Sequence, residues 1–405
     1  MSNILLINHY ASTLATGMGS RHHYLARELA QMGHDVTLVA ARSHHMLRDR
    51  SDTGALPAEE RVDGYRFLRI DVPDYAHAHD RRRILAWLAF AWKLPGLRRR
   101  LGPSPDTVLY SSLHPLGYLG AERLSRACGA RLVYEVRDIW PRLLVEVGGY
   151  SPCHPFVRFL QWIEDRAYSR ADRVVSNIEG AVEHMVGRGM DRRKFTWVPN
   201  GIALDEVQNP APLSPEVADQ IPADGLRVVY TGTLGAANAL YTLIEAAALL
   251  RDLPDVSFLL VGQGRERADL ERRRNELGLS NVLFLGPVPK EQVQSVLAAC
   301  DVCYIGWSDQ PMFRWGSGWT KMSEYLFSGK PVIHGFSGGY DPVATFDAGV
   351  TIPAEDPQAL ADAIRGLQAL PKEDRRRMGE NGHRAALEHY DYAKLARRLE
   401  QVLIG

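Results

Sequence analysis

Two blocks of short apolar runs, each run followed by a segment of helical period, constrain this chain more than any other feature. In the first block the runs are NILLINH (3–9), DVTLVAA (35–41), YRFLRIDV (65–72), TVLYSSL (107–113), RLVYEV (131–136) and RVVSNI (173–178). They are nearly continuous and rich in Val, Ile and Leu, as strands buried on both faces must be. Between them, RHHYLARELAQMG (21–33) sets Tyr24, Leu25, Leu29 and Met32 on one helical stripe and stops at Gly33. Residues 43–64 have the composition of a loop. After VPNGI (198–202) and a connection rich in Pro, Ala and Asp (209–225), the alternation restarts. It runs through LRVVYTGTLG (226–235), VSFLLVGQG (256–264), NVLFLGPV (281–288) and VCYIGW (302–307), with helices at 239–251, from about Arg265 and at 290–299. VTIPA (350–354) and a helix over 357–369 follow. The pattern specifies an α/β protein of two doubly wound, Rossmann-like parallel sheets. The expected boundaries are 1–200 and 201–385, with a helix in 386–405 crossing back to the N-terminal domain.

Composition removes several classes. At 405 residues the chain exceeds the size at which a single core stops growing. Lys plus Arg and Asp plus Glu both number 48, which argues against a nucleic-acid binder. No window approaches the roughly 18 apolar residues of a spanning helix, and MSNILLINHY lacks the basic start of a signal peptide. A cytoplasmic protein is expected. Cys128, Cys153, Cys300 and Cys303 form no disulfide framework, and the Cys300/Cys303 pair reads as two small buried hydrophobes. His44, His45, His77 and His79 read as solvated surface, and no metal site is expected.

Ligands of doubly wound sheets bind beyond the carboxyl ends of the strands. Several candidates fall there. Gly17 and Gly19 precede the first helix, and Arg21 adds charge at its start. His114 follows one strand, and Arg137 with Asp138 follows the next. In the second half, strands run into turns at Gly232 and Gly235, at Gly262 and Gly264, and at Gly286; Arg265 and Arg267 follow the second turn. The stretch WGSGWTKMSEYLFSGKPVIHG (315–335) combines a glycine-rich loop with a short helix on which Lys321 and Glu324 share a face. The loop suits a phosphate, and the carboxylate suits sugar hydroxyls. A capped helix with a surface ion pair is the alternative. Finally, RRRILAWLAFAWKLPGLRRR (81–100) encloses an apolar-aromatic run between arginine triplets, which suits an anionic membrane surface, the alternative being a core-packing helix.

Taken together, the loop before the first helix, EVRDIWP, VPNGI, YTGTLGAANALYTLIEAA, FLLVGQGRER, NVLFLGPVPKEQV and FRWGSGWTKMSEYLFSGKPVI resemble the retaining family-4 glycosyltransferases of the GT-B fold, whose two domains face across a cleft. The likeness is nearest to bacterial transferases of O-antigen and capsule synthesis. It implies that Glu324 holds the donor ribose. The family's first glutamate, seven residues before it in the usual signature, is replaced by Gly316. The run from Trp315 and Gly316 to Lys321 instead looks like a subgroup reading F-G-x-x-x-x-K. Arg137 stands where the family commonly has histidine, and Asp138 follows it as in many members. Where members carry an Arg and a Lys for the diphosphate, this chain has Thr233 and Asn238. Pro287 and Val288 fall where the family reads the base through backbone.

The resemblance implies a sugar nucleotide, most simply a UDP-sugar and including N-acetylated sugars, as donor substrate rather than cofactor. Its expected site comprises Gly17, Gly19, Arg21, Gly232, Thr233, Leu234, Asn238, Gly262, Arg265, Pro287, Val288, Ser317, Gly318, Trp319, Thr320, Lys321 and Glu324. Arg137, Asp138, Lys321 and His114 are the expected catalytic residues. The implied acceptor is a lipid-linked saccharide, reached at the inner face of the membrane through residues 81–100. A GT-B-fold UDP-sugar epimerase and a catalytically silent sugar-nucleotide-binding protein are the alternatives.

Overall fold

The computed structural model describes residues 1–17, 21–51, 53–77 and 80–405. The chain divides into two compact units: one comprises residues 1–201, 315–318 and 392–405, the other 202–314 and 319–391.

The first unit is built on eight strands: β1 (Asn3–Asn8), β2 (Asp35–Ala41), β3 (Glu59–Val62), β4 (Tyr65–Ile70), β5 (Thr107–Ser112), β6 (Arg131–Val136), β7 (Arg173–Ser176) and β8 (Phe195–Trp197). Their order in the sheet is β3-β4-β2-β1-β5-β6-β7-β8, parallel except for β3. The loop expected over 43–64 therefore contains a strand. Its sequence, EERV, has no apolar run because it lies at the sheet edge with no residue buried. The signal that could have found it is Asp63-Gly64, whose positive φ values of 45° and 89° turn Val62 back to pair with Tyr65. His44 is likewise buried rather than solvated, with Nε2 3.3 Å from the Ala11 carbonyl.

A buried charge ties helix Arg21–Gln31 to the middle of this sheet. Glu135, near the end of β6, is 1% exposed and needs compensation. Arg21 donates Nε and Nη2 to its Oε1 at 3.0 and 2.7 Å, and His22 Nε2 lies 2.8 Å from Oε2. Burial pushes the Glu135 carboxyl up, but Arg21 and His22 outweigh it and hold it well below the ordinary range. Arg21 also donates to the carbonyls of Val198 and Pro199, fixing the chain beyond β8. Helix Tyr392–Ile404 closes this face: Tyr392 stacks on Tyr24 at 4.8 Å, and Thr107 Oγ1 donates to the Leu403 carbonyl at 2.7 Å.

Helix Arg83–Lys93 divides its apolar residues between two faces. Ala86, Trp87 and Phe90 enter the core, while Leu85, Leu88 and Trp92 are exposed, Trp92 by 80%. The aromatic residues expected together at a surface are thus separated by the 3.6-residue period. Among the described residues no helix is long and apolar enough to cross a membrane.

The second unit carries six parallel strands: β9 (Leu226–Thr231), β10 (Val256–Val261), β11 (Val282–Leu285), β12 (Val302–Gly306), β13 (Val332–Gly335) and β14 (Gly349–Ile352), in the order β11-β10-β9-β12-β13-β14. Thr231 pairs with Val261, and Val261 with Leu285, so Gly232, Gly262 and Gly286 emerge side by side at the carboxyl edge. Two of these glycines are required. Gly232 and Gly262 have φ of +133° and +143°, and a Cβ on Gly262 would lie 2.0 Å from the Gly232 carbonyl oxygen. Cys300 and Cys303 are fully buried, and burial pushes both thiols up to about 12.

Candidate active site

The adjoining ends of β9, β10 and β11 and the helix Lys321–Phe327 enclose a cavity of about 270 Å³ in the second unit. The β9 and β10 turns contribute Thr231, Gly232, Thr233, Val261, Gly262 and Gln263. Pro287, Val288 and Val293 close the β11 side, and Lys321 and Glu324 come from the helix.

Lys321 is held by neutral groups. Its Nζ donates to Tyr230 Oη and to Asn238 Oδ1, both at 2.8 Å, and lies 4.7 Å from the Tyr230 ring centroid. Both acceptors are fixed by one carbonyl: Tyr230 Oη–H and Asn238 Nδ2–H donate to Thr233 O at 2.7 and 2.9 Å. Burial lowers the ammonium to about 8, against a smaller opposing pull from Glu324. A cation desolvated in this way gains from any anion entering the cavity. Gly232 makes room for it, since a Cβ there would lie 2.5 Å from Lys321 Cε.

Glu324 lines the same cavity one helical turn on. Burial pushes its carboxyl up, while Lys290 and Lys321 pull it down. Among the described residues no hydrogen-bond donor meets this carboxylate, which leaves its oxygens for ligand hydroxyls. The cavity therefore offers one cation, one carboxylate and a glycine-edged backbone, a set suited to a phosphorylated sugar or nucleoside.

Seven of the expected donor residues line this cavity: Gly232, Thr233, Gly262, Pro287, Val288, Lys321 and Glu324. Asn238 stands behind it as a support for Lys321. Leu234 is wholly buried, with its carbonyl accepting from Glu266 N–H at 3.1 Å, and Arg265 is an exposed residue off the cavity wall. Ser317, Gly318, Trp319 and Thr320 do not line it either. Gly318 O accepts from Asn200 Nδ2 at 3.0 Å within the first unit. Trp319 packs edge-on against Trp307, His334 and Phe336 in the second.

In the first unit the candidates separate. Arg21 does not offer its charge to an open loop, because Glu135 and two backbone carbonyls take its donors. Gly17 is a packing residue whose Cβ would lie 2.5 Å from Ser12 Oγ; Gly19 and His79 lie outside the described residues. His114 is sealed in the core, stacked on Trp87 at 4.6 Å, and burial lowers it to about 3. It cannot act as a base from there. Arg137 and Asp138 are partly buried just beyond β6. Burial pushes the Asp138 carboxyl up against the pull of Arg137, and Arg137 Nε has no hydrogen-bond partner among the described residues.

Sequence reasoning missed Tyr230, which supports Lys321, and Thr231, Val261, Gln263 and Val293 in the wall. Tyr230 reads only as the penultimate residue of a buried strand, although its position at the carboxyl end was a usable signal.

Residues 16–201 match the model described as a glycosyl transferase 4-like domain, and residues 225–369 match glycosyl transferases group 1. The chain belongs to the family-4 glycosyltransferases. It is a glycosyl-transferring enzyme, and its two parallel-sheet units are those of a GT-B fold. It is similar to WcaI of Escherichia coli K12, named as a glycosyl transferase of colanic acid biosynthesis, with 22% identity over 72% of each chain. It is also similar to WbjE of Pseudomonas aeruginosa, named as a glycosyltransferase, with 26% identity over 68% of each. Among solved structures, Anabaena HepE in complex with UDP and glucose superposes with a TM-score of 0.68 at 16% identity, over 100% of this chain and 99% of that one.

Replacing Lys321 by Ala should lower turnover of a sugar-nucleotide donor by about 10²–10³-fold, the usual loss when one fixed donor to a developing anion is removed. A steady-state donor-turnover assay measures it, and unchanged turnover excludes the role. The lowered pKa also has a stability consequence. The ammonium is disfavoured in the fold below about pH 8, and that penalty lifts as pH rises towards 10.5, where the unfolded chain loses its proton. Between pH 8 and 10.5 the wild type should therefore gain up to about 3 kcal/mol relative to Lys321→Met. Denaturant unfolding across this window measures the difference, and parallel curves refute the assignment.

Proposed function

We propose that this enzyme transfers a sugar from a UDP-sugar to a lipid-linked saccharide in bacterial surface-polysaccharide synthesis, with retention of the anomeric configuration. The observation that carries the donor half is Lys321, an ammonium held only by neutral acceptors inside a glycine-edged cavity, with Glu324 beside it. UDP in the HepE structure and the naming of WcaI for colanic acid biosynthesis support the donor and the pathway class.

The reaction follows from charge. As the bond from the anomeric carbon to the β-phosphate oxygen breaks, its electron pair stays with the diphosphate and the ring becomes oxocarbenium-like. Lys321 and the backbone of the β9 and β10 turns stabilise that leaving charge, without a metal in this account. Glu324 accepts from the ribose hydroxyls. The acceptor oxygen bonds to the anomeric carbon from the face the diphosphate leaves, and its proton passes to the departing phosphate oxygen. Arg137 and Asp138 orient the acceptor or the donor sugar.

The acceptor half draws on the segment 81–100. Leu85, Leu88 and Trp92 form an exposed stripe at i, i+3 and i+7, flanked by exposed Arg81, Arg82, Lys93 and Arg98–Arg100. This surface suits an anionic bilayer.

UDP should raise the midpoint of thermal unfolding more than GDP, and UDP-sugar should release UDP only when the saccharide-lipid is present. Conversion of the UDP-sugar to its epimer without acceptor and without net UDP release would favour an epimerase, and no stabilisation by any nucleotide would defeat the donor assignment. Neutralising Arg81–Arg83 and Arg98–Arg100 should reduce co-sedimentation with anionic vesicles at least tenfold; equal binding would remove the membrane contact.

A further inference from the structure

A second cavity, of about 540 Å³, lies in the first unit beneath the helix Arg83–Lys93. Its volume is that of a site for a small organic ligand. Ile84, Trp87, Trp140, Leu144 and Phe156 form its apolar wall, and Arg81 and Arg83 stand at its edge. None of the donor-site residues takes part in it.

Three observations define what it can hold. First, the Trp87 indole offers no open face for a pyranose ring. Arg83 covers one side of Trp87 at 4.7 Å, His114 is stacked on it at 4.6 Å, and Trp140 meets it edge-on at 5.9 Å. The wall is therefore suited to aliphatic chain rather than to a stacked sugar. Second, the edge carries a net positive charge, two guanidinium groups against one carboxylate. Asp80 also lines the cavity, but its carboxylate accepts the N–H groups of Ala76 and Arg82, both at 2.9 Å. Among the described residues no carboxylate pairs with Arg81 or Arg83. Third, Trp140 Nε1–H is buried without an acceptor among the described residues, an arrangement that a ligand oxygen would relieve. Guanidinium groups beside an apolar wall select an anionic amphiphile, and guanidinium forks match phosphate as well as carboxylate oxygens.

We propose that this cavity seats the phosphate-proximal end of the acceptor's lipid chain: the phosphate on Arg81 and Arg83, and the first apolar units against Trp87, Trp140, Leu144 and Phe156. The inference rests on the lipid-linked acceptor reading and assigns its lipid end. The remainder of the chain leaves along the exposed stripe of Leu85, Leu88 and Trp92 on the same helix.

The test is calorimetric titration of the full chain, below the micellar concentration, with farnesyl phosphate, farnesol, inorganic phosphate and a lipid-free saccharide acceptor. Farnesyl phosphate should bind at least tenfold more tightly than farnesol or phosphate alone. Arg81→Ala with Arg83→Ala, and separately Leu144→Trp, which fills the cavity, should each weaken it at least tenfold. Near-ultraviolet circular dichroism establishes that each variant is folded. Equal affinity in both variants, equal affinity for inorganic phosphate, or displacement by the lipid-free saccharide would overturn the proposal. None of these outcomes touches the donor assignment, which fails separately if UDP does not bind.

Discussion

Everything proposed for the donor half depends on a desolvated ammonium. Lys321 is presented by a short helix and, among the described residues, donates only to a phenol and an amide, both aligned by the Thr233 carbonyl. A carboxylate in their place would satisfy the charge and leave nothing for a ligand. Neutral partners position the group without neutralising it, at the cost of a lowered pKa. Gly232 and Gly262 are part of the same constraint, because any side chain there would strike Lys321 or the adjoining backbone.

The first unit solves a different problem with a buried carboxylate. Glu135 would be untenable in the sheet without Arg21 and His22, and their bonds couple the first helix to β6 and to the chain beyond β8. This leaves Arg137 and Asp138, the next charged residues past the same strand, with far fewer internal partners. The charge that holds the fold together and the two less-partnered charges of Arg137 and Asp138 thus lie next to one another along the chain.

The strands were legible where burial is two-sided, since runs such as TVLYSS and VSFLLV can be little else. β3 was not, because an edge strand buries nothing and its sequence carries only the Asp63-Gly64 turn as a mark. In the site, Lys321 and Glu324 could be read from a three-residue spacing, and the glycines from their position at strand ends. The burial of Arg21 and His114 was hidden for a common reason. A charged or titratable residue after a strand looks the same whether it faces solvent or core, and only the burial of Glu135 and the Trp87 stack decide it. The division of the helix Arg83–Lys93 between core and surface was equally hidden, because alternating Ala, Trp, Leu and Phe leave no polar face to orient it.

The most direct test is a crystal structure of the enzyme with UDP. The account predicts the diphosphate in the cavity at the ends of β9 and β10, with an oxygen within hydrogen-bonding distance of Lys321 Nζ and the ribose hydroxyls on Glu324. Nucleotide bound elsewhere, or bound there with Lys321 still engaged only by Tyr230 and Asn238, would contradict it.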